Sequence, residues 1–239
     1  MTRVLLAATA LTAFAYTSAN ATLMVALDVN GTTFNCVDNT GCDTNLAVGT
    51  LQVGNQVVNG VTFSGSIQTS TGTVANPGAA AVLNTSSLSI INNNAAGVNI
   101  AAAIGDTDFV GPVASYTASV SSTFQQAVGS SFTYNFYDDP TNQQGAQTVT
   151  DIPGTLLDTS TKAVTLIADS FSHNASGPVD DQNLFSMTET ISGFLTSHGQ
   201  IVSNGLTEIK SVPEPTGLGI LGLGLLGLGF LTARRKTQD

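Results

Sequence analysis

Tryptophan is absent, and cysteine, histidine and the basic residues are scarce: two Cys, two His and six Lys plus Arg in 239 residues. Each shortage excludes something. Without tryptophan, a core must rest on other apolar side chains, and a sugar-cleaving cleft loses its largest stacking platform. With only His173 and His198, the options for acid–base and metal chemistry are few. Of the basic residues only Lys162 and Lys210 fall in residues 22–211, against 14 acidic residues there, a net charge of about −12. Such a surface repels phosphate backbones and anionic lipid, which excludes nucleic acid as a partner. Because charges of either sign are few (9% of the chain), its polar faces must be built from Ser, Thr, Asn and Gln.

Cys36 and Cys42 stand in "CVDNTGC", a spacing that is not CxxC and has no histidine nearby. Outside the cytoplasm such a lone pair most simply forms a disulfide closing a small loop. The chain ends support that compartment. "MTRVLLAATALTAFAYTSANA" has one base, an apolar run and a small-x-small site at Ala19–Ala21, the pattern of a secretory signal peptide over residues 1–21. At the other end Thr216–Ala233 is an 18-residue stretch without a charge. As a helix it would rise about 27 Å, close to the hydrocarbon thickness of a bilayer. Its glycines are tolerated in membrane spans, although no two are four apart as a GxxxG dimer face requires. Arg234, Arg235 and Lys236 then place that end in the cytoplasm by the positive-inside rule.

Ahead of the apolar stretch stand Val212, Pro213, Glu214 and Pro215. Proline fixes φ and restricts its neighbour, which keeps this segment extended and accessible to a processing enzyme. Together with the apolar span and Arg234–Arg235, residues 212–239 resemble the PEP-CTERM sorting signal of Gram-negative bacteria. The resemblance implies exosortase as a partner, cleavage near the PEP motif, a membrane-held intermediate, and a final place at the cell surface or in the extracellular matrix. It also implies a link to exopolysaccharide and biofilm.

The body, residues 22–211, suits one domain able to bury about 70% of its unfolded surface. Asn30-Gly31 and Asn59-Gly60 each interrupt β-branched runs, a strong hairpin signal. Runs such as "SSLSIINN", "SYTASVSSTF", "SFTYNFYDD", "KAVTLIADSF" and "NLFSMTETISGFL" follow, separated by turn clusters such as Asn76-Pro77-Gly78 and Pro153-Gly154. About ten short strands at this spacing predict an all-β antiparallel β-sandwich, jelly-roll or immunoglobulin-like, followed by one C-terminal transmembrane helix. "ANPGAAAVL" and "NIAAAIG" have the composition of a helical turn. The core is expected on Phe63, Phe124, Phe132, Phe171, Phe185 and Phe194.

Catalytic groups are hard to assemble. Asp169, Ser170, Ser172 and His173 supply the residue types of a triad, yet no GxSxG elbow presents a serine, and neighbours in sequence seldom converge in space. Asp138-Asp139 and Asp180-Asp181 are paired carboxylates, but adjacent aspartates beside Pro140 read more simply as turn formers. Asp106 and Asp108, alternating along one edge, are candidate calcium ligands, with Asp138, Asp139, Asp180 and Asp181 as further candidates, although the EF-hand and RTX patterns are missing. No other cofactor is expected. These readings favour a non-catalytic exported surface or matrix protein associated with exopolysaccharide; the alternative is a secreted polysaccharide hydrolase.

Overall fold

Asn30 and Gly31 both take positive φ, 50° and 85°. This is the backbone of a two-residue type I′ turn. It joins β1 (Met24–Val29) to β2 (Thr32–Val37) with Val29 opposite Thr32. Asn59 and Gly60 repeat the geometry, φ 44° and 76°, between β3 (Thr50–Val58) and β4 (Val61–Ser70). A computed structural model describes residues 22–70 and 80–211. The remaining strands are β5 (Ala81–Asn92), β6 (Val98–Val110), β7 (Val113–Gln125), β8 (Ser131–Asp139), β9 (Thr155–Ala163), β10 (Ala168–Pro178), β11 (Leu184–Leu195) and β12 (Gln200–Ser211). Among the described residues there is no helix.

All pairings are antiparallel and fall into two six-stranded sheets, ordered β2-β1-β6-β11-β8-β9 and β10-β7-β12-β5-β4-β3. The protein is therefore an all-β, two-sheet antiparallel sandwich. Strand alternation turns Phe132, Tyr134 and Phe136 of β8, Ile100, Ala102 and Ile104 of β6, and Val120 and Phe124 of β7 into one interior. Of the expected core phenylalanines, Phe63, Phe124, Phe132 and Phe185 are buried. Phe171 is half-buried on the outermost strand of its sheet and stacks on Tyr134 at 5.5 Å. Phe194 is 38% exposed and lies over Gly97, because its position in β11 is out of phase with the inward set Met187 and Ile191. Phe109 and Phe136 are core members not anticipated.

"NIAAAIG" is a strand rather than a helical turn. It lies in β6, between β1 and β11. Its small residues suit the outer face, where the 140–154 loop folds back on the sheet and packs Ala146 against Ala103 and Met24. From "ANPGAAAVL", Ala81–Leu83 begins β5, and residues 75–79 lie outside the described residues. The expected signal peptide, the transmembrane helix and the sorting motif residues Val212, Pro213, Glu214, Pro215, Arg234 and Arg235 also lie outside them.

Candidate functional site

One end of the sandwich gathers most of the carboxylates singled out in the sequence, but in a different arrangement from the one that alternation predicts. Asp106 faces inward and is fully buried. Two residues on, Asp108 would share its face in a regular strand. Instead Asp106 pairs with Met187 while Phe109 pairs with Phe185, so β6 carries one extra residue there. The bulge, with Asp108 at φ 64°, sends Phe109 into the core and Asp108 outward. Asp106 and Asp108 thus do not form the two-carboxylate edge expected of them.

On the inside, Asp138 lies across Met187 from Asp106, and its carboxyl meets that of Asp181, from the β10–β11 connection. Asp138 is 5% and Asp181 4% exposed. Burial, and then the facing Asp181 carboxyl, push Asp138 well above the usual carboxylate range; Asp181 is also raised by burial. Two carboxyls so placed resist ionising together. Asp138 Oδ1 and Asp181 Oδ2 are both buried without a hydrogen-bond partner. Their sequence neighbours behave differently. Asp139 accepts bonds from Thr141 N at 3.0 Å and Gln143 N at 2.9 Å, the turn-forming role expected of it, and Asp180 accepts one from Gln182 Nε2.

Nearby, burial pushes Asp106 up to about 6, despite the Thr69 hydroxyl and the Thr107 N–H that favour its charge. The Cys36–Cys42 disulfide forms, and its loop is wound around Asp43. That carboxylate accepts from Asn39 N (3.0 Å), Asn45 N (2.8 Å) and Gln52 N (2.9 Å). Burial opposes its charge, but these donors outweigh it and hold Asp43 below the usual range.

On the outer flank of the same end, a cleft of about 740 Å³ opens between the β1–β2 hairpin and the 140–154 loop. Asn35, Asn142, Gln144, Gln147, Thr107 and Asp108 line its walls, and Met24 and Val37 lie among them. The wall is braced: Asn142 Nδ2 donates to Asp108 Oδ1 and Asp108 N donates to Asn142 Oδ1, each at 2.8 Å. Asn35 Nδ2 donates to Gln147 O at 2.7 Å. Chemically this is an amide-rich recess with one carboxylate, suited to hydroxyl-bearing ligands. Asn35 comes from β2 and the other three amides from the 140–154 loop, so the pairing of the two walls had no local signal.

The triad residues do not converge. Asp169 accepts from Lys162 Nζ at 2.8 Å, and His173 Nε2 lies 2.8 Å from Asp158 instead. Ser170 and Ser172 occupy alternate positions from His173 along β10, so they face the other way. Sequence reasoning also missed Glu189, fully enclosed in the sandwich and bonded by Thr85 Oγ1 (3.0 Å) and Thr207 Oγ1 (2.7 Å). Its signal was present: in "NLFSMTETISGFL" it is in phase with Met187 and Ile191.

None of the curated proteins matches the chain. Among solved structures, it is similar to the K3 cleaved adhesin domain of Lys-gingipain from Porphyromonas gingivalis W83 (12% identity, TM-score 0.35, 55% of this chain and 74% of that one). It is also similar to TmCBM61 in complex with β-1,4-galactotriose (8%, TM-score 0.31, 64% and 89%). A third is TmCBM27, a carbohydrate-binding module described for mannan recognition (11%, TM-score 0.31, 69% and 90%). At this identity and overlap, these likenesses carry no argument about ligand or activity. The family described as the PEP-CTERM protein-sorting motif matches residues 211–236, the stretch that holds the Pro-Glu-Pro handle, the apolar run and the basic flank. That motif indicates export and surface-directed sorting, and the chain carries it.

Proposed function

We propose that this protein is a non-catalytic component of the bacterial cell surface or extracellular matrix, released or anchored by exosortase and associated with exopolysaccharide in biofilm. The observation that carries the reading is the sorting motif at residues 211–236, which gives the body its destination. In this reading the segment 216–233 holds a membrane-bound intermediate of a Gram-negative cell until the enzyme acts near Pro213-Glu214-Pro215. The strand order supports a jelly-roll body: β10-β7-β12-β5 facing β6-β11-β8-β9 is the order of eight strands wound as two Greek keys, with the β1–β2 and β3–β4 hairpins widening each sheet. Polysaccharide would lie in the amide-lined cleft, where hydroxyls exchange hydrogen bonds with Asn142, Gln144 and Gln147.

The test is retention of the purified exported protein on exopolysaccharide isolated from the producing cells, run beside a reducing-sugar assay. Retention is expected without sugar release. Asn142→Ala and Gln147→Ala should each weaken it about tenfold, the loss of a hydrogen bond or two. Robust hydrolysis, or retention indifferent to both substitutions, would overturn the reading.

A further inference from the structure

The deepest part of the acidic end is built from two elements far apart in the chain. Asp138 ends β8 and Asp181 lies in the connection before β11, yet their carboxyls are packed together inside the protein. Both are more than nine-tenths buried, and each keeps one oxygen sealed from solvent with no donor turned towards it. No basic side chain answers them among the described residues: Lys162 is taken by Asp169, Lys210 by Glu208 and His173 by Asp158, and His198 is exposed in the turn between β11 and β12. Two carboxylates this close and this buried cannot both stay ionised unless a proton or a cation lies between them.

We propose that Asp138 and Asp181 together hold a divalent cation, calcium by the chemistry of the donors. The two side chains offer hard carboxylate oxygens, which suit calcium or magnesium and not the softer metals that seek imidazole or thiolate. Two carboxylates leave most of calcium's six to eight positions to carbonyls and water. Calcium accepts such an irregular set, whereas magnesium demands a near-ideal octahedron. Glycine backbone crowds both carboxylate-bearing segments: a side chain at Gly154 would strike the main chain of Asp138–Asp139, and one at Gly111 that of Asp181–Asn183. The cation would fasten β8 to the β10–β11 connection and so stiffen the end that carries the cleft. This assignment rests on the exported reading only for its supply of calcium, since binding itself is measured on the isolated protein.

The experiment uses the full exported chain, stripped with chelator and then titrated with calcium chloride at pH 7.5. Melting temperature and terbium luminescence displaced by calcium are the two readouts. Saturable stabilisation of about 3–5 °C is expected, with half-saturation of about 0.1–1 mM as in extracellular modules. Asp138→Asn and Asp181→Asn should abolish both responses, whereas Asp108→Asn, across the bulge, should keep them. Asparagine resembles the protonated carboxyl, so these variants should fold; circular dichroism confirms that before titration. The proposal is overturned by a wild-type protein indifferent to about 10 mM calcium. It also fails if both asparagine variants respond like wild type, or if the response follows Asp108. Loss of polysaccharide retention with intact calcium binding would count against the functional reading and leave the cation site standing.

Discussion

Glu189 takes its carboxyl into the middle of the sandwich, where Thr85 and Thr207 of the opposite sheet donate to it. Burial dominates those two bonds and pushes the group up to about 7, from 4.5 in an open chain. Between those values the folded state binds more protons than the unfolded one. Stability contributed by the neutral form is therefore full below about pH 4.5 and drains as pH rises to about 7. Asp106, raised from 3.8 to about 6, acts in the same direction over a lower window. In chelated buffer the melting temperature should fall from pH 4.5 to pH 8. Glu189→Gln, which keeps an oxygen for the threonine hydroxyls but cannot ionise, should flatten the fall. Its advantage over wild type should be about 3 kcal/mol at pH 8 and nearly nil at pH 4.5. Parallel melting curves across the whole range would refute this account.

Two kinds of local feature shape the strands. The Asn-Gly turns were legible because a two-residue I′ turn needs positive φ at both positions, and Asn-Gly supplies it at least cost. Gly60 is the stricter of the two: at φ 76° it also lies against the Asn94 side chain, whose Nδ2 donates to Asn59 O at 3.0 Å. Gly60→Ala is expected to lower stability by about 1–2 kcal/mol in urea titrations. Gly41→Ala, in open space, should stay within about 0.5 kcal/mol; equal effects at the two sites would show that conformation and crowding at Gly60 do not matter. Bulges were not legible. The one in β6 exists only relative to β11, and the one that shifts β12 against β5 between Ser203 and Gly205 exists only relative to its partner. Nothing in "GDTDFV" states which residue will be extra.

At the scale of the whole molecule, an oxidised cysteine pair and a sorting motif agree on export. The expected fate of the tail can be checked directly. Mass spectrometry of the extracellular protein should show a chain beginning near Thr22 and no peptide containing Arg234. Recovery of the 216–236 segment in extracellular material would mean that sorting proceeds without cleavage.

Surface-directed export, the all-β class, the two I′ turns and the cysteine pairing could be read from the chain alone. Each depends on residues adjacent in the chain, or on a periodicity of two that survives without knowledge of partners. The rest came from how the strands pair and pack. That packing separated Asp106 from Asp108 by a bulge, gave His173 to Asp158 rather than Asp169, and brought Asp138 against Asp181 from 43 residues away. It also assembled the cleft amides from the first hairpin and the 140–154 loop. A site made by strand order and register has no local spelling, because the chain folds it from segments whose proximity is fixed only when the two sheets close on their core.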